Sequence, residues 1–173
     1  MAAEPTPSQT VGPFFSFGLL AADASQLVPA GAPAAVSLSG RVLDGEGDPV
    51  FDAMVEIWQA DEDGNYRPDF GWGRCGTDAG GRYSFVTRKP GRVADPDGGT
   101  QAPHVSMLVF ARGLLKPVRT RVYFPGEAAN EEDRVLSALA EDERATLVAR
   151  EVGGGLEFDV RLRGDGQTTF FAV

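Results

Sequence analysis

The chain has 173 residues, of which 16 are basic and 25 acidic, giving a net charge of −9. This balance argues against binding through a polyphosphate backbone or an anionic membrane surface, because the summed field repels both. A single histidine and a single cysteine exclude an internal disulfide and a zinc site built from the usual nitrogen and sulfur ligands. We expect a cytoplasmic protein with no secretory signal, no membrane span and no nucleic-acid partner.

Residues 1–35 are predicted to form an extended arm, and residues 36–173 a folded domain. Prolines are spread through the arm and no periodicity is sustained there. Its middle is nevertheless apolar, with Phe14, Phe15, Phe17, Leu19 and Leu20. Because that much apolar surface favours burial, we expect the arm to contact a partner chain.

The segments after the arm alternate between apolar and polar residues, as strands with one wet face do. In residues 36–43, for example, Val36, Leu38 and Val42 share one face. Strands are predicted over residues 36–43, 51–59, 81–87, 104–112, 118–124 and 156–163. With 22 glycines and 12 prolines punctuating the chain, this pattern predicts an all-β fold, an antiparallel β-sandwich.

One region has helical spacing, and a short helical segment is predicted near residues 130–149. Asn130 is a candidate N-cap, since the three residues that follow it are acidic and suit the positive end of a helix. Val135, Leu136 and Leu139 then recur at helical intervals.

Few residues are candidates for chemistry. His104 and Ser106 share one strand face, where a second histidine in place of Ser106 would give a metal two nitrogen ligands. A lone strand histidine is more often a structural hydrogen-bonding group. Tyr66 lies at a loop edge, where its hydroxyl could have a function. Arg121 could anchor a planar carboxylate, although an arginine at such a position more often forms a surface ion pair.

Several short segments, taken in order, resemble the intradiol ring-cleavage dioxygenases over nearly the whole chain. They are residues 6–15 (TPSQTVGPFF), 40–50 (GRVLDGEGDPV), 56–61 (EIWQAD), 73–74 (GR), 77–78 (TD), 83–85 (YSF), 89–91 (KPG), 103–104 (PH) and 121–124 (RVYF). The resemblance implies an antiparallel β-sandwich. It also implies a non-haem ferric site, held by two tyrosines and two histidines, that inserts both atoms of dioxygen into a catechol ring.

The sequence departs from that ligand pattern. Tyr66 matches the first tyrosine and His104 the first histidine, but Ser106 stands where the second histidine belongs. No tyrosine follows residues 89–91 before His104. The resemblance therefore implies a vestigial site at Tyr66, His104 and Ser106 and no metal bound by this chain alone.

The family resemblance gives such a chain a supporting role. It would be the non-metal alpha subunit of a hetero-oligomer whose beta subunit carries Fe(III) and cleaves protocatechuate with O2 to 3-carboxy-cis,cis-muconate. The positions implied to line the substrate pocket are Thr10, Gly12 and Pro13 of the arm and Arg121 of a strand.

Two other hypotheses remain open from the sequence. The chain could be a stand-alone β-sandwich binding module without catalysis. It could also be an enzyme by itself, with a metal on His104, Tyr66 and a carboxylate such as Glu56, although no ligand spacing supports that arrangement.

Overall fold

The computed structural model describes residues 5–12, 14–20 and 24–172. The strands are β1 Ala35–Leu43, β2 Met54–Trp58, β3 Trp72–Gly76, β4 Arg82–Arg88, β5 Val93–Ala94, β6 Thr100–Gln101, β7 His104–Phe110, β8 Val118–Tyr123, β9 Arg150–Val152, β10 Gly155–Glu157 and β11 Val160–Arg161. The helices are α1 Phe15–Leu19, a 3-10 helix Ala128–Glu131, α2 Arg134–Ser137 and α3 Glu141–Ala145. Within these residues no helix has the length and apolar character needed to span a membrane.

Two sheets enclose the main core, which confirms the predicted β-sandwich. In the first sheet β1 pairs with β4 on one edge and with β10 and β11 on the other, and β9 extends it beyond β10. The second sheet has the order β3-β2-β7-β8 and is antiparallel throughout. The first sheet is mixed, because β10 and β11 run parallel to β1. β5 and β6 form a separate antiparallel pair.

The inner faces of the sheets follow the predicted alternation. Leu38 and Val42 of β1 and Tyr83 and Phe85 of β4 are buried in one cluster with inward-facing residues of the second sheet. Apolar burial of this kind is the dominant stabilising contribution in a chain without disulfides. β3, which the hydrophobic pattern does not predict, completes the second sheet as an edge strand.

The predicted strand over residues 156–163 is divided into β10 and β11. Asp159 lies between them, and its Oδ1 accepts a hydrogen bond of 2.9 Å from the backbone amide of Arg41. The carbonyl of Phe158 presses against Gly40, where an added Cβ would lie 1.8 Å from that oxygen. A glycine is therefore needed in the middle of β1 for this close approach.

The predicted helical segment consists of three short helices, and the predicted cap is wrong. Asn130 lies inside the 3-10 helix and donates from Nδ2 to the Phe124 carbonyl at 2.9 Å. The N-cap of α2 is Asp133, whose Oδ1 accepts from the amides of Val135 at 2.9 Å and Leu136 at 3.0 Å. The extended backbone of Asp133 and Ala140 interrupts the helical path and produces the separate helices.

The arm is partly attached to the sandwich. The amide of Leu27 donates to the Val86 carbonyl at 2.9 Å, and the amide of Arg74 donates to the Ala24 carbonyl at 2.9 Å. Earlier in the arm, the one-turn helix α1 interrupts the predicted extended conformation. The proposed boundary between arm and domain at residue 35 stays a prediction.

We predict that Asp133→Ala destabilises the fold by about 2–4 kcal/mol, because it removes the α2 cap and leaves buried donors unsatisfied. Asp133 is fully buried, and its Oδ2 also accepts from the Ala102 amide at 2.7 Å. Urea unfolding followed by circular dichroism measures the change. The control is Asp165→Ala, at an exposed position. Equal stability of the two variants would contradict the assigned role.

Candidate functional site

The outer face of the second sheet carries a continuous row of polar and aromatic side chains. Trp72, Trp58, Ser106 and Arg121 are consecutive cross-strand partners in β3, β2, β7 and β8. Because side chains alternate along a strand, all four lie on the face opposite the core. This row crosses the region where the sequence predicted a vestigial site.

His104 begins β7 beside this row and is almost completely buried. Its Nδ1 lies 2.8 Å from the Ala102 carbonyl, which can only accept, so Nδ1 carries the proton. The ring packs against Tyr123, with 5.7 Å between centroids. Burial, with a smaller contribution from the Arg121 charge, lowers the pKa of His104 to about 4. His104 is therefore a neutral imidazole at physiological pH.

Arg121 occupies the centre of the predicted site. Its Nη1 donates to Gln101 Oε1 at 3.0 Å and to the Tyr123 hydroxyl at 3.2 Å. The guanidinium is close enough to Tyr66 and His104 to lower the pKa of each side chain. A fixed positive charge thus lies among the remaining candidate ligands.

Tyr66 approaches the same place from the loop after β2. Its ring is parallel to that of Trp58, with a centroid distance of 6.0 Å and an interplanar angle of 1°. Burial raises the pKa of the Tyr66 hydroxyl, while Arg121 and the Ser106 hydroxyl offset part of that effect. The structure therefore brings Tyr66, His104, Ser106 and Arg121 into one site.

The sequence did not identify the groups that hold this site in place. The Tyr123 hydroxyl donates to Asp133 Oδ1 at 3.3 Å, and burial raises the pKa of Tyr123 to about 12. Asp133 is fully buried, and it is linked to Arg121 through the Tyr123 hydroxyl, which accepts from Arg121 and donates to Asp133. The alternation of β8 indicated Tyr123, but no local pattern links it to Asp133.

These residues do not fit a ferric ion. Tyr66 and His104 are the two donors suited to such a metal, and Ser106 offers a neutral hydroxyl that is a weak ligand. The Arg121 guanidinium adds a positive charge beside them, which repels a cation. Among the described residues, no three or more histidine, cysteine, aspartate and glutamate side chains are grouped to bind a metal ion.

A groove of about 400 Å³ adjoins the row on the same face. It is lined by Glu56, Ile57, Trp58, Trp72, Ser106, Met107, Leu108 and Arg119. The partner of Glu56, which the sequence left unnamed, is Arg74, its cross-strand neighbour, whose Nε donates to Glu56 Oε1 at 2.7 Å. The hypothesis of a metal on His104, Tyr66 and Glu56 therefore lacks a free carboxylate.

The arm residues lie elsewhere. Thr10 Oγ1 accepts from the Gly113 amide at 2.8 Å and donates to the Ala111 carbonyl at 3.4 Å. Gly12 has open space around its Cα, and Pro13 lies outside the described residues. Ala111 is five residues beyond Ser106, the strand partner of Arg121, or about 16 Å along an extended chain. The structure thus separates Arg121 from the arm.

The arginine nearest in sequence to the Thr10 contacts is Arg112, which the sequence analysis overlooked. It lies between Ala111 and Gly113, forms an ion pair with Asp52, and stacks 5.4 Å above the Phe51 ring. Its neighbourhood is partly apolar and open, since Phe51 is 57% exposed and Arg112 and Phe51 line one cavity with Phe15 and Leu20 of the arm. The contact between Thr10 and this turn spans about a hundred residues, so the sequence offers no local signal for it.

The chain is similar to known dioxygenases. The family model described as "Dioxygenase" matches residues 12–164. The protocatechuate 3,4-dioxygenase alpha chain of Burkholderia cepacia is 42% identical over 97% of this chain and 97% of its own length. The beta chain from the same organism is 35% identical over 77% of this chain and 66% of its own. Among solved structures, the dioxygenase domain of a carbohydrate-binding fusion protein from Streptomyces sp. SirexAA-E superposes with a TM-score of 0.64 at 28% identity, covering 93% of this chain and 99% of that one.

We predict that His104 titrates near pH 4 in the folded chain, against 6.5 for an ordinary histidine. The unfolded state binds the proton more tightly, so His104 makes stability rise with pH between about 4 and 6.5, by roughly 3 kcal/mol in total. Because the chain has one histidine, its Hε1 NMR signal reports this titration without ambiguity.

Removing the neighbouring charge with Arg121→Gln is expected to raise the midpoint of the His104 titration, because that charge lowers the pKa of His104. The matched control, Arg82→Gln, alters an exposed arginine of β4 and leaves the midpoint unchanged. A folded-state midpoint near 6.5 in the unmodified chain would exclude the buried, neutral imidazole described above.

Proposed function

The chain belongs to the intradiol ring-cleavage dioxygenase family, and we propose that it is the non-metal alpha subunit of a protocatechuate 3,4-dioxygenase. The observation that carries the proposal is the incomplete donor set at Tyr66, His104 and Ser106, with the Arg121 guanidinium beside it. Similarity to an alpha chain over nearly the full length of both proteins supports the same assignment.

In this proposal the enzyme converts protocatechuate and O2 into 3-carboxy-cis,cis-muconate, with both oxygen atoms entering the product. Fe(III) belongs to a beta subunit, which supplies the two tyrosine and two histidine ligands. This chain completes the walls of the pocket and is inactive alone. Its cytoplasmic location stays a prediction from the sequence.

The arm and the turn after β7 are proposed to form the wall that faces the partner's substrate. Thr10 ties the arm to that turn through two hydrogen bonds. Gly12 lets a flat ligand approach the backbone, and the ring of Pro13 is proposed to restrict the backbone next to it. Arg112, ion-paired with Asp52, is the arginine of this wall, because it lies in the turn that Thr10 binds. Arg121 pairs with Ser106, about 16 Å along the chain from this turn, and is not part of the proposed wall.

The surface around this wall suits a protein partner. Phe14 and Phe17 of the arm and Phe51 of the sandwich are largely exposed, and a cavity of about 450 Å³ lies between α1 and residues 51–53. Exposed aromatic side chains that lie close together are typical of interfaces. We propose that the beta subunit covers them in a hetero-oligomer.

We predict that the chain purified alone has neither bound iron nor protocatechuate-dependent oxygen uptake, because its donor set is incomplete. Combined with the beta subunit, it should give an assembly with the visible tyrosinate-to-iron absorption band and with activity. Iron analysis, absorption spectra and an oxygen electrode provide the measurements. Activity of the chain alone would refute the proposal, and a mixture without activity would favour a stand-alone binding module.

We also predict that Thr10→Val in the assembled enzyme raises KM for protocatechuate roughly fivefold, because the arm loses the hydrogen bonds of the Thr10 hydroxyl, at a net cost of about 1 kcal/mol. Iron content and kcat should be preserved, since the hydroxyl anchors the arm and contacts no metal. Thr100→Val, at an exposed threonine of β6, is the matched control. Loss of iron in the Thr10 variant, or an unchanged KM, would contradict the role of the arm.

A further inference from the structure

The hairpin of β5 and β6 stands apart from both sheets. Among the described residues, these two strands pair only with each other, Val93 with Gln101 and Ala94 with Thr100. A two-stranded hairpin is marginally stable at best in water when nothing else holds it. Residues 93–101, all of which the structure describes, contribute no side chain to either apolar core. The hairpin therefore depends on polar contacts for its position.

Both ends of this hairpin are fixed. At its start, the Gly91 amide donates to the Asp61 carbonyl at 2.8 Å, and a Cβ added at Gly91 would lie 2.4 Å from the Glu62 carbonyl oxygen. At its end, Ala102 is buried, and its amide donates to Asp133 Oδ2 at 2.7 Å. Any movement of the hairpin is therefore confined to the residues between these two anchors.

The hairpin carries two carboxylates, which lie near two arginines of other elements. Asp97 at the tip forms an ion pair with Arg134 of α2, with 2.5 Å between Oδ2 and Nη2. The pKa of Asp95 is lowered mainly by the hydrogen bond from the Asp97 amide, and also by the charges of Arg134 and of Arg121 in β8. Gln101 joins these groups, since its Oε1 accepts from Arg121 at 3.0 Å and its Nε2 donates to Asp95 Oδ2 at 3.3 Å. The attachment of the hairpin is therefore largely electrostatic.

The ion pairs of this attachment are exposed to solvent. The side chains of Arg134 and Asp97 are 62% and 66% exposed. At the base of the hairpin, Arg92 pairs with Glu132 at 3.0 Å, and this pair is also exposed. Exposed ion pairs contribute little to stability, because water and salt screen them. The segments of a fold that open locally are those with few buried apolar contacts, and this hairpin has that character.

We propose that residues 93–101 form an acidic flap that opens on its own while the sandwich stays folded. The attraction of Asp95 and Asp97 to Arg121 and Arg134 holds the flap closed. Opening removes Gln101 from Arg121, so the guanidinium loses one acceptor. The open form is a minor species at low ionic strength, and salt increases its population. The proposal rests on the contacts of this chain and does not depend on the alpha-subunit assignment.

Amide hydrogen exchange of the full-length chain, followed by NMR, tests the proposal. A detached hairpin loses its internal pairing, so the Asp95 amide, which donates to the Gly99 carbonyl at 3.1 Å, exchanges through flap opening. The amides of β1 and β4 exchange only when the sandwich unfolds, and they are the internal control. Between 0.01 M and 1 M NaCl the Debye length falls from about 30 Å to about 3 Å. The ratio of flap exchange to control exchange should then rise at least about threefold.

Charge variants locate the contact that holds the flap. Arg134→Gln removes the partner of Asp97 and should raise the opening equilibrium roughly two- to fivefold, the change expected for one exposed ion pair. Asp97→Lys should raise it at least as much. Combining Asp97→Lys with Arg134→Glu restores the ion pair with its charges reversed, so opening should return towards that of the unmodified chain. The matched control is Arg150→Gln, which removes an exposed ion pair with Glu157 and should leave flap exchange unchanged.

Three results would overturn the proposal. Flap amides that exchange no faster than those of β1 and β4 would show that the flap does not open separately. Exchange of the flap that does not respond to salt would exclude an electrostatic attachment, and both comparisons use the unmodified chain. A double variant, folded by circular dichroism, that opens as readily as Asp97→Lys alone would show that these charges do not hold the flap. The alpha-subunit assignment is tested separately, by iron content and oxygen uptake in the presence of a beta subunit.

Discussion

The buried carboxylate of Asp133 joins three parts of the chain that are distant in sequence. It caps α2, receives the amide of Ala102 just before β7, and accepts the hydroxyl of Tyr123 at the end of β8. Because Tyr123 in turn accepts from Arg121, one carboxylate fixes both the helix and the charged side chain on the sheet. Such a buried ion is tolerated because its oxygen atoms accept several hydrogen bonds. The geometry around His104 depends on this network.

Two separate surfaces result from this arrangement. One lies at the turn after β7, where Thr10 holds the arm beside Arg112 and a group of exposed phenylalanines. The other lies on the sheet, where Arg119 lines the groove with Trp58 and Trp72, and Arg121 ends the cross-strand row. A single small molecule cannot bridge them, since they are separated by most of β7.

The alternation of apolar residues was sufficient to predict the sandwich and the inward-facing side chains such as Leu38 and Phe85. It could not predict β3, a short edge strand with two glycines and little apolar periodicity. Strand alternation placed His104 and Ser106 on one face of β7, but only the family resemblance implied that Tyr66, which lies in a loop, meets them. Helix caps and hydrogen-bond partners were harder to predict from the sequence. Asp133 caps α2, although the sequence pattern favoured Asn130. The contact of Thr10 with Gly113 depends on tertiary structure alone.

Arg121 carries its charge on the polypeptide itself, whereas a metal site must first acquire an ion from solution. The guanidinium is present as soon as the chain is synthesised, and it cannot be chelated, exchanged or reduced. The hydrogen bonds from Arg121 to Gln101 and Tyr123 therefore form whenever the chain folds, with a charge that the chain itself supplies.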